Sequence, residues 1–388
     1  MTSPLHGVRV IEFCHVAAGP FCGMLFADMG ADVIKVEGPD GDGMRQWPPL
    51  RDGFSENFAS VNRNKRSVVL DLKSEGGKRA ARALIMSAHI VIENNRPGVM
   101  DRLGLGYSSF KDARPDLIYC SISAFGQSGP RVNEGGFDLT IQALSGIMSV
   151  TGEPNSAPVK CGVPISDFGS GLYGAFAVMA LLNAVRQGAS GQHIDIAMLG
   201  ASLGIAALQT SEYFGSGRNP VRLGSAHPRN APYQAFQAKD GHFVMAAGNQ
   251  KLWRSVCAVI GRRELFADPR FASTALRAQN QSALCKLLEE NFADQTVAAL
   301  IEAFTAVGVP CGPVNSYANA LADPQVEHMG WVREVDLPGG ARVKTFGSPI
   351  MMSGQGAGIR CGPPALGEHT EEVLREIGHI KQGEVACL

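Results

Sequence analysis

The sequence predicts an α/β protein in which a parallel sheet is built from βαβ units. Over residues 1–125, short apolar runs rich in β-branched residues alternate with helical segments. Strands separated by helices of this length are joined by parallel crossovers. The chain also has 46 glycines and 22 prolines among 388 residues, too many for a mainly helical bundle. The length allows two domains or one large domain.

The N-terminal part is predicted to supply most of the sheet. The expected strands are residues 8–13, 32–37, 67–72, 90–93 and 117–123, and the expected helices are residues 20–29, 74–87 and 108–112. Each strand is a short run of Val, Ile and Leu, which favours extended structure. The loop of residues 38–51 is rich in Gly, Pro and Asp and long enough to be a functional lid. It carries Trp47, an unusual residue for such a segment.

From residue 126 the pattern changes to helices that are apolar on all sides. These are residues 137–150, 168–185 and 198–211, with a strand at 191–196. A smaller unit begins near Arg222, with a hairpin of residues 233–236 and 242–246 around the turn 239–241. Helices are expected at 250–260, 277–291, 296–306 and 370–377, and a strand pair at 332–337 and 341–345. The tail resembles the N-terminal part in composition, so the chain is expected to return to it.

The composition excludes several classes of function. Apolar residues make up 45% of the chain and charged residues 18%, against about 25% charged residues in typical globular chains. Disorder is therefore not expected. The 35 basic and 36 acidic residues give a net charge of −1, so no overall field attracts nucleic acid or anionic lipid. Low charge over a long chain also indicates surface that is buried, for example between subunits.

The sequence predicts a cytoplasmic protein without membrane association. The N-terminus has neither the basic start nor the apolar run of a signal peptide. Residues 168–185 and 196–211 carry no charge and reach the lower length limit of a membrane span. They contain Gly and Ser and lack basic flanks, so buried core helices are expected. Nine cysteines at irregular spacing, without a CxxC pair, indicate reduced thiols.

One glycine motif admits two interpretations. Gly169, Gly171 and Gly174 have the spacing of a dinucleotide-binding fingerprint, and Asp195 follows where a ribose-binding acid would lie. The preceding segment makes a poor central strand, so close helix packing is the favoured explanation of the glycines. The fingerprint leaves an NAD-dependent oxidoreductase as an alternative function. The histidines are dispersed without a ligand spacing, and no metal site is predicted.

Asp167 is the most notable single residue. It precedes the glycines at the start of the long uncharged helix. One interpretation is an N-cap, because Asp there accepts the unpaired amide hydrogens of the first turn. The other is a carboxylate nucleophile, which the helix dipole would keep ionised and the neighbouring glycines would leave accessible. The two interpretations are compatible.

An ordered set of segments resembles the class III CoA-transferases, the family of formyl-CoA, carnitine-CoA and succinyl-CoA:dicarboxylate transferases. The resemblance covers roughly residues 4–375. Its segments are LHGVRVIEF, FADMGADVIKVEGPDGD (26–42), NRNKRSVVLDLKSEGGK (62–78), VIENNRPGVMDRLGLGY (91–107), ISAFGQSGP (122–130), GFDLTIQALSG (136–146), PISDFGSGLYG (164–174), SGQHIDIAML (190–199), AHPRNAPYQAF (226–236), DPRF (268–271) and GVPCGPVN (308–315).

The resemblance implies a fold and an assembly. The family has a large Rossmann-like domain formed by both chain ends and a smaller α+β domain, and its subunits interlock as a homodimer. On this chain that implies residues 1–222 and 331–388 for the large CoA-binding domain and residues 223–330 for the small domain. An interlocked dimer would explain the low charge.

The resemblance also implies a mechanism. It places the catalytic carboxylate at Asp167, which would attack an acyl-CoA, form an aspartyl–acyl anhydride and then an aspartyl-CoA thioester, and pass CoA to a carboxylic acid. Glycine-rich segments can stabilise the oxyanions, and Gly248 lies in the matching segment. CoA is thus a substrate, and no permanently bound cofactor is implied.

The matched positions give a set of candidate binding residues. The CoA contacts carried over by the resemblance are His15, Ala17, Ala18, Leu72, Lys73, Asn94, Arg96 and Arg102. Candidates for substrate or oxyanion contacts are Trp47, Phe125, Phe137 and Gly248. Lys and Arg side chains suit the phosphates of CoA on an otherwise neutral chain. Gly38 departs from the family, because several relatives have an Arg there, and Lys35, Arg45 or Arg63 are expected to substitute.

The same superfamily contains 2-methylacyl-CoA racemases, which are the second alternative. They have a His immediately before the Asp of the GxD segment, where this chain has Phe137. Phenylalanine cannot exchange a proton, so a two-base racemase is disfavoured. In the transferase interpretation the expected donor is succinyl-CoA. Arg45, Arg222 and Arg229 are candidates to hold the second carboxylate of a dicarboxylic acceptor.

Overall fold

The computed structural model describes residues 3–353 and 355–380, which divide into two compact units. Unit 1 consists of residues 1–147, 160–218 and 325–388, and unit 2 of residues 148–159 and 219–324. Unit 2 therefore includes a short segment, 148–159, that the sequence did not single out. The domain limits at residues 222 and 330 stay a prediction. Residues 381–388 of the predicted C-terminal return lie outside the described residues.

The N-terminal part of unit 1 contains most of its elements. The strands are β1 (Arg9–Phe13), β2 (Asp32–Glu37), β3 (Leu50–Arg51), β4 (Phe54–Ser55), β5 (Lys65–Val69), β6 (Ile90–Glu93), β7 (Ile118–Ser123) and β8 (His193–Ala197). The helices are α1 (Ala18–Asp28), α2 (Glu56–Asn62), α3 (Glu75–Ser87), α4 (Val99–Arg102), α5 (Asp138–Leu144), α6 (Ile147–Val150), α7 (Ile165–Arg186), α8 (Met198–Ile205) and α9 (Ala207–Ser216). Two 3-10 helices are Gly43–Gln46 and Tyr107–Ser109.

Unit 2 and the C-terminal return complete the chain. In unit 2 the strands are β9 (Tyr233–Ala238), β10 (Gly241–Ala246) and β11 (Cys311–Pro313), and the helices are α10 (Gln250–Val259), α11 (Thr274–Gln279), α12 (Gln281–Phe292), α13 (Val297–Ala306) and α14 (Tyr317–Leu321), with a 3-10 helix at Arg263–Phe266. The remaining elements are α15 (Pro324–Met329), β12 (Val332–Asp336), β13 (Arg342–Phe346), β14 (Met351–Met352), β15 (Gln355–Gly356) and α16 (Thr370–Glu376).

A six-stranded parallel sheet forms the centre of unit 1, in the order β5-β2-β1-β6-β7-β8. The inner strands are buried on both faces: in β1, Val10 packs on one side of the sheet and Ile11 on the other, and neither is exposed. Such strands need helices on both sides, which explains their continuous apolar runs. The α/β class and the parallel Rossmann-like sheet are thus confirmed.

The C-terminal return lies along the β5 edge of this sheet. The backbone amide of His369 donates to the carbonyl of Ser67 at 3.0 Å, and the amide of Val69 donates to Thr370 Oγ1 at 3.0 Å. Arg66 forms ion pairs with Glu372 and Glu376 of α16. The last helix therefore covers an edge that would otherwise be open.

Unit 2 has its own core. Its sheet, in the order β11-β10-β9, is antiparallel, and the predicted hairpin forms its larger part. A cluster of four aromatic rings packs in this core, with edge-to-face, tilted and stacked contacts among Phe236, Phe243, Phe292 and Phe304. Arg277 is fully buried there and donates hydrogen bonds to surrounding carbonyl and side-chain oxygens.

Several predicted elements were wrong in extent. The helix predicted at 137–150 ends at Leu144 and restarts at Ile147, because Gly146 adopts a positive φ of 83° between the two parts. The predicted helices at 198–211 and 277–291 are likewise each divided in two, and the short helix expected at 108–112 is a 3-10 turn. Helix α2, which follows the predicted lid loop, was not predicted.

Helix α7 is long and apolar enough, by length and composition, to cross a membrane. One side of it packs closely on α1: a Cβ at Gly171 would lie 2.8 Å from the carbonyl oxygen of Ala18. The absence of membrane association stays a prediction. Eight cysteines are free thiols, and the ninth, Cys387, lies outside the described residues.

Candidate active site

The carboxyl ends of β1 and β6 meet where the strand order of the main sheet reverses. From β1 the chain proceeds outward through β2 and β5, and from β6 it proceeds the opposite way through β7 and β8. In open parallel sheets, ligands bind in the crevice at such a switch point. The segments leaving these two strands are residues 14–17 and 94–98, and both carry residues that the sequence singled out.

A cavity of about 220 Å³ lies at this switch point. Its lining includes the predicted residues His15, Ala17, Ala18, Asn94, Arg96, Phe137 and Asp167, together with Val16, Asn95, Pro97, Ile122, Ser123, Ala124, Glu134, Gly135, Gly136 and Met198. The structure thus brings together segments that are far apart in the sequence. The cavity is too small for a large ligand and suits one reacting end of it.

The two loops of the crevice are bonded to each other. The amide of His15 donates to Asn94 Oδ1 at 2.8 Å, and Asn94 Nδ2 donates back to the carbonyl of His15 at 2.8 Å. Burial and nearby Lys35 lower the pKa of His15, so its imidazole is neutral at pH 7. Asn94 therefore lines the cavity and also holds the β1 loop in place through these two hydrogen bonds.

Asp167 lies inside the first turn of α7, which begins at Ile165, so the N-cap interpretation is wrong. The N-cap is Pro164, which has no side-chain donor or acceptor for the role. Burial, followed by the negative charge of Asp138, raises the pKa of Asp167 to about 7. Burial and the charge of Asp138 therefore oppose the ionisation that the helix N-terminus was expected to favour.

Asp138, which sequence reasoning missed, connects Asp167 to the rest of the site. Its Oδ1 accepts a hydrogen bond from the amide of Ser166 at 3.0 Å, and its Oδ2 accepts one from Gln142 Nε2 at 2.7 Å. It therefore holds the first turn of α7 and raises the pKa of the next residue, Asp167. Its signal in the sequence was the segment GFD at 136–138, which was used only for Phe137.

Phe137 lies at the mouth of the cavity with 76% of its surface exposed. It ends the extended segment before α5, and its amide donates to Thr140 Oγ1 at 2.9 Å. The position beside Asp138 thus carries no proton donor or acceptor in its side chain. A large exposed aromatic ring at this place is suited to contact with a ligand or another chain.

Six predicted residues lie outside the cavity lining: Trp47, Leu72, Lys73, Arg102, Phe125 and Gly248. Leu72 packs on the core, while Lys73 and Arg102 are exposed. The guanidinium carbon of Arg131 lies 4.1 Å from the centre of the Phe125 ring. Gly248 belongs to unit 2, where its carbonyl accepts a hydrogen bond from Thr274 Oγ1 at 2.9 Å.

The basic residues expected to substitute for an Arg at Gly38 are all ion-paired. Lys35 pairs with Asp42 at 2.9 Å, Arg45 with Glu37 at 2.6 Å and Arg63 with Asp28 at 2.6 Å. These ion pairs compensate the three charges, which disfavours the expected substitution, and it stays a prediction. The same pairing disfavours Arg45 as the residue that holds a second carboxylate.

The other two candidates to hold a second carboxylate, Arg222 and Arg229, both belong to unit 2. The Nη1 atom of Arg222 is buried and has no hydrogen-bond partner in the described part of the chain.

The dinucleotide interpretation of the glycine motif is wrong. Gly169, Gly171 and Gly174 lie within α7 rather than in a turn between a strand and a helix. They allow α7 to pack on α1 and β7, as a Cβ at Gly174 would already contact Cys22 and Ile122 at 3.4 Å. Asp195 accepts a hydrogen bond from the amide of Gln127 at 2.8 Å and so holds the loop that follows β7. In residues 3–353 and 355–380, no three side chains of His, Cys, Asp or Glu cluster as metal ligands.

Comparison with known proteins gives a consistent result. The sequence model of CoA-transferase family III matches residues 5–370 of this chain. The chain is 39% identical over 388 residues to a succinate–glutarate CoA-transferase of Agrobacterium fabrum, covering 98% of this chain and 97% of that protein. It is 36% identical to the succinyl-CoA:glutarate CoA-transferase of Mus musculus, covering 99% and 89%. The crystal structure of a CAIB/BAIF family protein from Brucella suis superposes with a TM-score of 0.86 at 39% identity, covering 97% and 100%.

Proposed function

The chain belongs to CoA-transferase family III, and we propose that it moves CoA from succinyl-CoA to a dicarboxylic acid such as glutarate. The observation that carries this proposal is the carboxylate of Asp167 in the cavity at the switch point of the sheet. A half-buried carboxylate with a pKa of about 7 is more basic, and so more nucleophilic, than an exposed one. The substrates follow from the names of the two relatives. The acyl-CoA is a substrate, and no permanently bound cofactor enters the proposal.

The proposed first half-reaction consumes the donor. The carboxylate of Asp167 attacks the thioester carbonyl, the C–S bond breaks, and CoA leaves as a thiolate. The product is a mixed anhydride between Asp167 and the donor acid. The thiolate then attacks the aspartyl carbonyl of this anhydride, which releases the donor carboxylate and leaves an aspartyl-CoA thioester. No proton needs to be taken up or released, because each step exchanges one anion for another.

The second half-reaction reverses these steps with the acceptor. Its carboxylate attacks the aspartyl-CoA carbonyl, and CoA thiolate leaves. The thiolate then attacks the acceptor carbonyl of the new anhydride, which forms the product and releases the carboxylate of Asp167. Two oxyanions must be stabilised in turn, for which we propose backbone amides. The small cavity would hold the thioester end of CoA, while Leu72, Lys73 and Arg102, which lie outside it, would contact the remainder.

Product analysis with defined substrates tests this function. Purified protein is incubated with succinyl-CoA and, in separate samples, glutarate, succinate labelled with ¹³C, oxalate or acetate, and CoA esters are identified by mass spectrometry. We expect glutaryl-CoA and labelled succinyl-CoA to form faster than acetyl-CoA. Hydrolysis to free CoA without transfer in any sample would contradict the proposal.

Transfer should depend on pH through Asp167. Because the nucleophile must be ionised, kcat/KM is expected to rise with pH and level off above about 7. Asp138→Asn removes the negative charge that contributes to this pKa, so the midpoint should move to lower pH. Burial is the larger cause and remains, so the shift should be partial. The measurement is kcat/KM for succinyl-CoA between pH 5 and pH 9.

Asp112→Asn is the matched control for this profile. Asp112 is an exposed residue of unit 1 and does not line the cavity, so its replacement should leave the midpoint where it is in the wild type. A midpoint for Asp138→Asn that equals the wild-type value, or lies above it, would show that Asp138 does not raise the pKa of Asp167.

We also propose that the protein is a homodimer whose subunits interlock, as the family resemblance implies. Helices α5, α7, α8 and α9 of unit 1 expose many large apolar side chains. They are Leu139, Leu144, Leu172, Tyr173, Phe176, Met179, Leu203, Ile205, Leu208, Tyr213 and Phe214. Monomeric proteins rarely expose a contiguous apolar surface of this kind, and a second copy of the chain would bury it.

Sedimentation equilibrium tests the homodimer. The expected mass is about twice the 41.1 kDa of the chain, with no dissociation on dilution to nanomolar concentration. Phe176→Lys, which places a charge at a side chain that is 74% exposed on α7, should promote dissociation. Lys111→Glu, a change of charge at an exposed position, is the control and should leave the mass unchanged. A stable wild-type monomer that transfers CoA would contradict this assembly.

We place the reaction in the cytoplasm. The eight described cysteines are free thiols, and Cys14, Cys22 and Cys120 are buried close to the core of the main sheet. Reduced thiols suit a compartment in which glutathione and thioredoxin prevent disulfides. Fractionation of cells with an antibody against the protein checks this placement.

A further inference from the structure

A group of buried ionised side chains lies beneath the β1 loop of the cavity. Its members are Glu12, Lys35, Asp42 and Lys65, none of which is exposed beyond 1%. Lys65 Nζ lies 2.8 Å from Glu12 Oε1, and Lys35 Nζ lies 2.9 Å from Asp42 Oδ2 and 3.7 Å from Glu12 Oε1. Two cations and two anions thus compensate each other inside the protein.

This buried group is bonded to the backbone of the loop. Lys35 Nζ donates to the carbonyl of Cys14 at 2.7 Å, and Lys65 Nζ donates to the carbonyl of Pro20 at 2.8 Å. Between them, the carboxylate of Asp42 accepts the amide hydrogen of Val16 at 3.2 and 3.1 Å. The loop from β1 to the first turn of α1 is therefore held at three places by buried charges.

Val16 is the strained residue of this loop. Its φ is +63°, in the left-handed region, where a β-branched residue is rarely found. A non-glycine residue in this conformation is strained and persists only where its surroundings enforce it. In this conformation its amide points to the carboxylate of Asp42 and donates to it. The next residues are Ala17 and Ala18, which line the cavity and begin α1.

Asp42 is held in a position from which it can bind the amide of Val16. Burial opposes its ionisation, but Lys35 and the amides of Met44 and Val16 outweigh burial and lower the pKa of Asp42. Its own amide donates to Glu37 Oε2 at 3.0 Å, and its Oδ1 accepts from the amide of Met44 at 3.0 Å. The start of the 38–51 loop is thus hydrogen-bonded to β2. Asp42 therefore keeps its position independently of the β1 loop that contains Val16.

Stability alone gives little reason for such a group. Buried ion pairs lose much of their attraction to desolvation, and apolar residues of similar volume often stabilise a fold as well. Apolar residues could not, however, bond the carbonyl of Cys14 and the amide of Val16. The benefit that only charged and polar side chains supply here is the conformation of the loop.

We propose that Asp42 is a positioning residue for CoA transfer, which holds Val16 in its left-handed conformation so that residues 15–18 form the CoA-binding wall of the cavity. The proposal rests on the proposed function. Asp42 does not line the cavity and acts through Val16. Its loss should therefore weaken binding of CoA more than it slows the chemical steps on Asp167.

The test is a double-mutant cycle between Asp42→Asn and Val16→Gly. Glycine adopts a positive φ without strain, so a chain with Gly at position 16 needs Asp42 less. Asp42→Asn is expected to raise the Kd of CoA and the KM of succinyl-CoA about tenfold in the Val16 background, with a smaller change in kcat. In the Val16→Gly background, the same substitution should change both constants less than about threefold. Isothermal titration with free CoA and steady-state kinetics measure these values.

Controls separate loop conformation from general damage. Asp52→Asn makes the same chemical change at an exposed residue nearby in the chain and should leave the Kd of CoA unchanged. Asp42→Glu retains the charge but moves the carboxylate by one methylene, and Val16→Gly should rescue it too. Thermal melts and circular dichroism establish that each variant is folded.

Several results would overturn the proposal. Equal losses of CoA affinity in the Val16 and Val16→Gly backgrounds would show that Asp42 does not act through this residue. Failure of both Asp42→Asn and Asp42→Glu to fold would make Asp42 a residue of the fold rather than a positioning residue. If the wild type transfers CoA while Asp42→Asn binds CoA normally, only this inference fails. A wild type that neither binds CoA nor transfers it would instead refute the proposed function.

Discussion

Replacement of Asp167 by Asn is expected to lower the rate of CoA transfer by about 10³- to 10⁵-fold. The carboxylate would be the group to which both the acyl moiety and CoA become attached, so its loss removes the covalent route rather than weakening one contact. The amide is similar in size and can remain in the first turn of α7. The Kd of free CoA should therefore change less than about threefold. Steady-state transfer from succinyl-CoA to glutarate and titration with CoA measure the two effects.

The Asn variant should also be at least as stable as the wild type at pH 8. The folded-state pKa of Asp167 is raised to about 7 from an ordinary value of 3.8, so the folded state favours the protonated form. Stability is then lost as pH rises from about 4 to 7, and the penalty is complete above 7. Asn carries no charge and avoids this penalty, so its melting temperature at pH 8 should not fall. Near-normal turnover of a folded Asp167→Asn variant, with Asp112→Asn as control, would refute the nucleophile.

The architecture of unit 1 could be predicted because its signal is local. Strands such as Asp32–Glu37 and Ile90–Glu93 are buried on both faces, and continuous runs of Val and Ile between turn residues mark them in the sequence. The helix boundaries were less accurate where one residue interrupts an apolar pattern, as at Gly146. There the backbone conformation, rather than hydrophobicity, decides where a helix ends.

The electrostatics of the site could not be predicted from the sequence. Asp167 was expected to be ionised at a helix N-terminus, but its burial and its nearness to Asp138 depend on how α5 and α7 pack. Lys35 and Arg45 looked like available cations, yet they meet Asp42 and Glu37 only when β2 and the following loop have folded. Charge compensation is a property of tertiary contacts, and sequence spacing does not reveal it.

The covalent route gives the most direct prediction. With succinyl-CoA present and no acceptor, hydroxylamine is expected to inactivate the enzyme progressively and convert Asp167 to a hydroxamate. Hydroxylamine attacks the aspartyl carbonyl of the anhydride or of the CoA thioester, and the donor acid or CoA thiol leaves. Attack on the succinyl carbonyl instead regenerates free Asp167, so the modification accumulates over several turnovers. Mass spectrometry of proteolytic peptides should locate the change at Asp167.

Each control isolates one requirement of this chemistry. Hydroxylamine without succinyl-CoA should leave activity intact, because an ionised carboxylate is not an electrophile. Asp167→Asn with both reagents should yield no modified peptide. Added glutarate should slow the inactivation, since it competes for the aspartyl-CoA thioester, whereas acetate should protect less if the site prefers dicarboxylic acids. Measurable transfer without any modified Asp167 peptide would mean that the acyl group moves by a route that does not pass through this residue.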